Sequence, residues 1–401
     1  MYYYVNVLRA DFPPTPRTLD DASHSARTRP PMTIQTLTEQ FRVAQQNIGL
    51  GSRRKVAIAA HLEVRAALHL ATSLVDRGLV DVLIGSYPRR TGIWPGKDVD
   101  VFGKLTNESI DTIEPGFAYD LFLKVLDHAF PGRITPQDRS VKVAYQPDRL
   151  PATQYIREAA RLLEASDVLG ANDGFEFSVD VVPAVRFGNV WGIPNRNHEM
   201  WTRTATAERW IRTNPESLTD FTRQLNGKLK IGAQGAYVPT VKTVRQIRRT
   251  HLGDAKPGGL YFELITHEGF TNGAINGVSW AEISASTLRY IADRLLTVNA
   301  TPLCDPVLDQ PYSPTPEPGA ITRAAEVFAE LAADAEEALT AEQCPAAATW
   351  RNIFGSNSKV KGPVFELPAG CRSDGTVMPV FASTAANPIR GTDEAHGFGR
   401  D

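Results

Sequence analysis

Apolar residues follow two different periods along the chain, and the switch between them predicts the layout of the molecule. From Ile34 to Arg77 they recur at helical spacing (Leu37, Phe41, Ala44, then Val56, Ala59, Leu62, Ala66, Leu70), and Gly49 and Gly51 interrupt the run. One broken helix or two consecutive helices fit this pattern. Gly78 closes it, and Val80–Ile84 reads as a short β-branched strand. A second strand covers Asp98–Leu105, where Val99 and Val101 alternate with Asp98 and Asp100. Residues 117–130 read as a helix, Ser140–Tyr145 as a strand and Tyr155–Leu169 as a helix. In Phe175–Val182, residues Phe175, Phe177, Val179 and Val181 share one face; Glu176, Ser178, Asp180 and Val182 share the other. Asn214-Pro215 opens a further helix with a capping side chain and a first-turn proline.

Beyond Gly232 and Gly235 only the helical period remains, over 238–251, 258–268, 279–299 and 320–342. The six prolines between Thr301 and Pro318 predict an extended connection. This order predicts an α+β fold of two lobes: a mixed-sheet core over 32–230 and a helical lobe over 231–358, with a cleft between them. Residues 1–31, rich in Pro, Arg, Ser and Thr, are expected to lack order, and 359–401 to form a flexible tail.

Charge narrows the function classes. Forty-three Lys and Arg against 45 Asp and Glu give a net charge of −2 over 401 residues, which argues against coating DNA or RNA by bulk attraction. Cys304, Cys344 and Cys371 are far apart and form no C-x-x-C pair, so neither a disulfide framework nor a structural zinc is expected. No apolar run approaches the roughly 20 residues that span a bilayer. The N-terminal stretch carries Asp11, Asp20 and Asp21 and does not read as a signal peptide. A soluble, cytoplasmic protein without membrane partners is expected.

The chemistry concentrates between Gly85 and Val101. Asp98 and Asp100 stand two residues apart on a strand, so both project from one face with Cβ atoms about 6–7 Å apart. Carboxylates so placed repel unless a cation lies between them. Gly85-Ser86, at the end of the preceding strand, offers close-approaching backbone N–H groups and a hydroxyl to a phosphate. Asp180 sits inside the apolar strand Phe-Glu-Phe-Ser-Val-Asp-Val-Val-Pro, a costly place for an acid that is neither paired nor metal-bound.

The order G-S-x-x-x-x-T, D-x-D and a later D-V-V-P resembles the polymerase-β-like nucleotidyltransferases. Among them it is most similar to the CD-NTases, bacterial relatives of cyclic GMP-AMP synthase and oligoadenylate synthase that act in anti-phage signalling. Trp191-Gly192-Ile193-Pro194-Asn195, Trp201, the Pro239–Arg249 helix, Tyr261-Phe262-Glu263-Leu264 and Trp350-Arg351-Asn352-Ile353-Phe354-Gly355 extend the resemblance over residues 35–358. It implies that Asp98, Asp100 and Asp180 hold two Mg²⁺ ions, with Mn²⁺ a substitute. It also implies that Gly85 and Ser86 contact the triphosphate of ATP or another NTP, and that pyrophosphate leaves as a cyclic or short linear oligonucleotide forms. A product-binding effector protein is the implied partner. A cation from the Pro239–Arg249 helix reaches the phosphates in this family; Lys242 and Arg245, on one helix face with Arg249, are both candidates. Tyr261 is a candidate for stacking on the base. Arg90 stands where many relatives have glycine, and the zinc insertion of the animal DNA sensor is absent, so activation by long duplex nucleic acid is not indicated.

Plainer readings stand beside these. Arg89 and Arg90 read as surface charges, and His128, His198, His251 and His267, which follow no ligand spacing, read as structural or surface groups. Two other functions share the motif: transfer of a nucleotide to an RNA end or a protein hydroxyl, and nucleotide binding without catalysis.

Overall fold

The computed structural model describes residues 36–146, 151, 153–162, 176–196, 209–312 and 315–379. The expected unordered segment 1–31, Phe175, His198, Trp201, the far end of the 155–169 helix and residues 380–401 of the expected tail lie outside the described residues.

The chain opens with α1 (Thr38–Ile48) and α2 (Arg53–Leu70), two helices separated at Gly49 and Gly51 as their sequence predicts, followed by the single turn α3 (Thr72–Val75). One seven-stranded sheet then forms from β1 (Leu79–Ile84), β2 (Asp98–Ser109), β3 (Ile134–Pro136), β4 (Val141–Tyr145), β5 (Phe177–Phe187), β6 (Val190–Pro194) and β7 (Trp210–Thr213). Its order is β1-β2-β5-β4-β3, and β6 joins β7 to the far end of β5. The β2·β5 pair is parallel; the others are antiparallel, so the sheet is mixed. Helices α4 (Pro115–Ala129) and α5 (Thr153–Arg161) connect strands.

Strand alternation sorts the two faces. Val99 and Val101 of β2, Val141 and Val143 of β4 and Val179 and Val181 of β5 are buried with Ala60 and Val64 of α2 and Phe122 of α4. The opposite face carries a small apolar floor of Phe102, Val182, Ala184 and Ile193, with the acidic positions further along the same strands.

The second lobe contains α6 (Pro215–Lys228), α7 (Tyr237–Leu252), α8 (Gly259–Thr271), α9 (Trp280–Thr297), α10 (Pro318–Ala338) and α11 (Gln343–Phe354). Short hairpins β8–β9 (Lys230–Ile231, Gln234–Gly235), β10–β11 (Cys304–Asp305, Gln310–Pro311) and β12–β13 (Ser356–Asn357, Gly362–Pro363) lie between or after these helices. The Asn214 side chain accepts the Ser217 N–H at 3.2 Å, the cap expected ahead of Pro215. Ser279 caps α9 in the same way, accepting the Glu282 N–H at 3.2 Å. The architecture is therefore the expected two-lobed α+β arrangement.

Four expectations are corrected. First, α1 and α6, expected in the sheet lobe, pack in the helical lobe: Leu225 of α6 lies in its core, and Phe41 of α1 meets the rings of Trp350, Phe354 and Phe365 at centroid distances of 5.0, 5.7 and 5.2 Å. The apolar stripe of α1 was legible but its partners lie some three hundred residues away. Second, the tail expected from residue 359 is folded over its described part, where Val364 and Phe365 are fully buried in the helical core. Third, Cys344 and Cys371 form a disulfide with a Cα–Cα distance of 5.2 Å, closing that segment onto α11, while Cys304 is free and exposed. Fourth, the proline-rich connection is not merely extended, since it contains the β10–β11 hairpin. Strands β3, β6 and β7 and helix α11 are also additions to the predicted elements; β6 and β7 are short, of five and four residues, and each carries one tryptophan.

His61, on α2, yields a stability prediction. It is buried, its Nδ1 has no hydrogen-bond partner, and its ring meets Tyr87 edge-on at 5.9 Å. Burial first, and the Arg65 charge second, lower its pKa from 6.5 to about 4. A base that protonates less readily when folded contributes stability that is complete above pH 6.5 and lost as pH falls towards 4. The loss is on the order of 3 kcal/mol at most. The stability difference between wild type and His61→Gln in urea unfolding is expected to move in favour of the variant as pH falls from 7 to 4.5; a difference that stays constant with pH would refute the assignment.

Candidate active site

The parallel register of β2 and β5 brings the acids together. Asp98 stands opposite Ser178 and Asp100 opposite Asp180, so Asp100 and Asp180 are direct neighbours on one sheet face, with strand axes about 4.8 Å apart. On the other side of β5, Lys142 of β4 is the register partner of Asp180. The separate strands that carried the acidic motifs in sequence are adjacent in space, and all three predicted carboxylates share one neighbourhood.

Burial and mutual repulsion act on two of these carboxyls. Burial, then the charges of Asp98 and Asp180, push Asp100 up to about 7, with Arg89 and Arg245 acting in the opposite direction. Burial and the charge of Asp98 raise Asp180 to about 6, against the pull of Lys142 and a hydrogen bond from Ser178. Asp180 Oδ1 is buried without a hydrogen-bond partner. Among the described residues no three His, Cys, Asp or Glu side chains close into a ready-made metal cage. The chemistry of the set nevertheless fits a hard divalent cation: it is all oxygen, its charges repel, and one buried acceptor atom is unsatisfied.

Gly85 follows β1 with φ of +72°, and a Cβ built on it would lie 1.9 Å from Asp100 Oδ2. Glycine is required here on both counts, because the left-handed backbone and the close approach of the Asp100 carboxylate each exclude a side chain. The loop that follows is closed on itself: the Thr91 N–H donates to the Ser86 carbonyl at 2.9 Å. Ser86, Asp98, Lys97, Arg245 and Arg249 line a cavity of about 160 Å³. Asp100 opens instead onto a larger cleft of about 410 Å³, floored by Phe102 and Val182 of the sheet and walled by Leu260 and Tyr312 of the helical lobe. Asp98 and Asp180 both line a third cavity, of about 240 Å³, with Lys97 and Lys142. The three acids thus line three cavities between them.

The two candidate cations of α7 occupy different surroundings. The Arg245 guanidinium donates to the Thr91 carbonyl at 3.2 Å, lies 3.8 Å from Glu263 and borders the Ser86 cavity. Lys242 stands one turn earlier. Burial first, then the charges of Arg54, Arg90 and Lys359, hold its ammonium below the ordinary lysine value. Four like charges gathered from α2, the serine loop, α7 and the β12–β13 turn form a ready counterpart for an anion. Arg54 and Lys359 are additions to the predicted site, invisible in sequence because each comes from a segment with no motif.

Two readings change. Arg89 is not a surface charge: its side chain is 5% exposed, and its Nε donates to Glu263 Oε1 at 2.8 Å. Tyr261 does not present a free stacking face; it is 3% exposed in the helical core, edge-on to Tyr312 at 5.9 Å. Arg90 is exposed and carries a positive φ of 60°, the position where a glycine would be unstrained.

No family model matches the chain, and no curated protein sequence does either. Solved structures do match its fold. The chain is similar to Escherichia coli MS115-1 CdnC with ATP, at a TM-score of 0.56 and 14% identity, over 82% of this chain and 98% of that one. It is similar to CdnC in complex with HORMA-deltaN (0.54, 15%, 80% and 97%). It also resembles the Bradyrhizobium diazoefficiens CD-NTase CdnG in complex with GTP (0.55, 14%, 79% and 94%). The fold is that of the two-lobed CD-NTases.

Proposed function

We propose that this chain is a divalent-metal-dependent nucleotidyltransferase that joins ATP, alone or with another NTP, into a cyclic di- or trinucleotide or a short oligonucleotide, releasing pyrophosphate. The observation that carries this reading is the β2·β5 register, which makes Asp100 and Asp180 neighbours, with Asp98 one pleat away and Gly85 against Asp100. A nucleotide-binding scaffold has no need to hold repelling carboxylates together beside a serine loop.

Asp98, Asp100 and Asp180 would hold Mg²⁺, or Mn²⁺ in its place, which supplies charge neutralisation at the phosphates and at the attacking oxygen. The chain's own groups do the rest. The Ser86 hydroxyl and the Arg245 guanidinium, on one cavity, hold phosphate oxygens. Lys242, with Arg54, Arg90 and Lys359 around it, adds positive charge for the departing pyrophosphate. Asp180, with its unsatisfied Oδ1, accepts the proton of the acceptor hydroxyl as that oxygen bonds to the α-phosphorus and the bond to pyrophosphate breaks. The large cleft on the Asp100 side, walled by both lobes, has room for a second nucleotide. A product of this kind acts as a messenger, so the partner is an effector that binds it; defence against phage is the role that fits the fold's bacterial relatives.

Incubating the full chain with labelled NTPs and Mg²⁺ or Mn²⁺ tests the reading. Pyrophosphate release and a phosphatase-resistant product of defined mass are expected. A folded protein that binds NTP yet releases no pyrophosphate with either metal would overturn it.

A further inference from the structure

Tyr261-Phe262-Glu263-Leu264 places an acid in the middle of an apolar helix, and the mechanism above leaves that acid unused. Glu263 is 2% exposed, with Phe262 and Leu264 beside it in the core of the helical lobe. A carboxylate there is costly unless every lone pair has a partner. Its hydrogen-bond partners, Arg89 and Thr91, come from the other lobe. Arg89 grips it with both arms, Nε to Oε1 at 2.8 Å and Nη2 to Oε2 at 3.3 Å. The Thr91 hydroxyl donates to Oε2 at 3.4 Å, and Arg245 Nη1 approaches the same oxygen to 3.8 Å.

We propose that Glu263 is a positioning residue for nucleotidyl transfer, fixing the Gly85–Ser86 loop of the sheet lobe against Arg245 of the helical lobe through Arg89 and Thr91. This rests on the nucleotidyltransferase reading of the site. The chain of contacts is short and continuous. Glu263 holds the Thr91 hydroxyl; the Thr91 N–H holds the Ser86 carbonyl at 2.9 Å; and the Thr91 carbonyl receives Arg245 at 3.2 Å. Arg89 and Arg245 line different cavities, Arg89 the cleft beside Asp100 and Arg245 the cavity beside Asp98 and Ser86. One carboxylate therefore contacts two cations that line separate cavities beside the acids. Gly259, one turn before Glu263, permits this: a Cβ there would stand 3.3 Å from Arg245 Nε.

A buried ion pair is weak support for stability, since apolar residues of similar size serve a fold equally well. Orientation is what such a pair supplies and apolar residues do not, and that difference separates the positioning role from a structural one. The full chain is compared as wild type, E263D and the double variant R89M/E263L, by unfolding midpoint, by calorimetric affinity for Mg²⁺ with α,β-methylene-ATP, and by KM and kcat. The double variant is expected to keep the wild-type midpoint while kcat falls roughly 10²-fold, as a displaced reacting group would cause, and nucleotide affinity falls about tenfold. E263D, which keeps the charge but shortens the reach, should fall between. A double variant with wild-type KM and kcat, or one that no longer folds, would overturn the proposal, the second by showing that the pair serves the fold. A wild-type chain that neither binds the analogue nor turns over NTP overturns the nucleotidyltransferase reading before any variant is compared, so the two failures are distinct.

Discussion

Asp100→Asn should abolish nucleotidyl transfer and, in the absence of metal, make the protein more stable above pH 7. The two effects share one cause. Asp100 is buried beside Asp98 and Asp180, and its carboxyl is pushed up to about 7. An acid whose folded pKa lies above its ordinary value of 3.8 holds its proton more tightly when folded. Its cost to the fold therefore grows as pH rises from about 4 and is complete above 7. Asn has the same shape without the charge, so the variant escapes that cost. A rise in the thermal midpoint on the order of 2–4 °C at pH 8 with chelator present is expected. Adding Mg²⁺ should reverse the ranking, because a cation stabilises only the chain that binds it. Turnover, read as pyrophosphate release, should fall by at least about 10²–10³-fold, the loss that accompanies removal of one electrostatic stabiliser of the transition state. Asp98→Asn should lose activity to a similar degree. Near-normal turnover in either folded variant would remove these residues from the mechanism.

What the sequence could and could not reveal follows from how far each feature reaches along the chain. The period-two alternation around Asp98 and Asp100 is local, and it correctly separates the valines packed on α2 and α4 from the acids on the opposite face. Asp180 was legible for a similar reason: an acid within an apolar strand demands a partner. Its being next to Asp100 rather than merely near it depends on β2·β5 pairing in parallel across some eighty residues, and no local pattern encodes that register. Arg89 shows the opposite error. Next to Arg90 in a polar loop it reads as solvated, and only Glu263, 174 positions away, makes its burial tolerable. The Cys344–Cys371 bridge was missed because spacing alone says nothing of two segments that meet when Phe365 packs under α1. Lys242 and Arg245 could not be ranked from helix spacing, and the structure separates them by neighbours: one lies among cations, the other beside Thr91 and Glu263.

Gly85→Ala is the sharpest test of the loop, because a single methyl group should disable the site without removing any functional side chain. The residue sits at φ +72°, where a non-glycine residue is strained by about 1–3 kcal/mol. The new Cβ would fall 1.9 Å from Asp100 Oδ2 and 3.0 Å from its Cγ, far inside contact distance. The Asp100 carboxylate must then swing away, or the loop must retreat and carry Ser86 with it. Either displacement is an ångström or more, enough to lower turnover by roughly 10²-fold. Ser86→Ala removes one hydroxyl from the phosphate cavity but moves nothing, so its loss should be the smaller of the two and should appear mainly in KM. The comparison is made by measuring kcat, KM and the thermal midpoint for both variants. A Gly85→Ala enzyme with wild-type kcat would mean that the contact between the loop and Asp100 is dispensable, and the acidic face would then lose the feature that ties it to the serine loop.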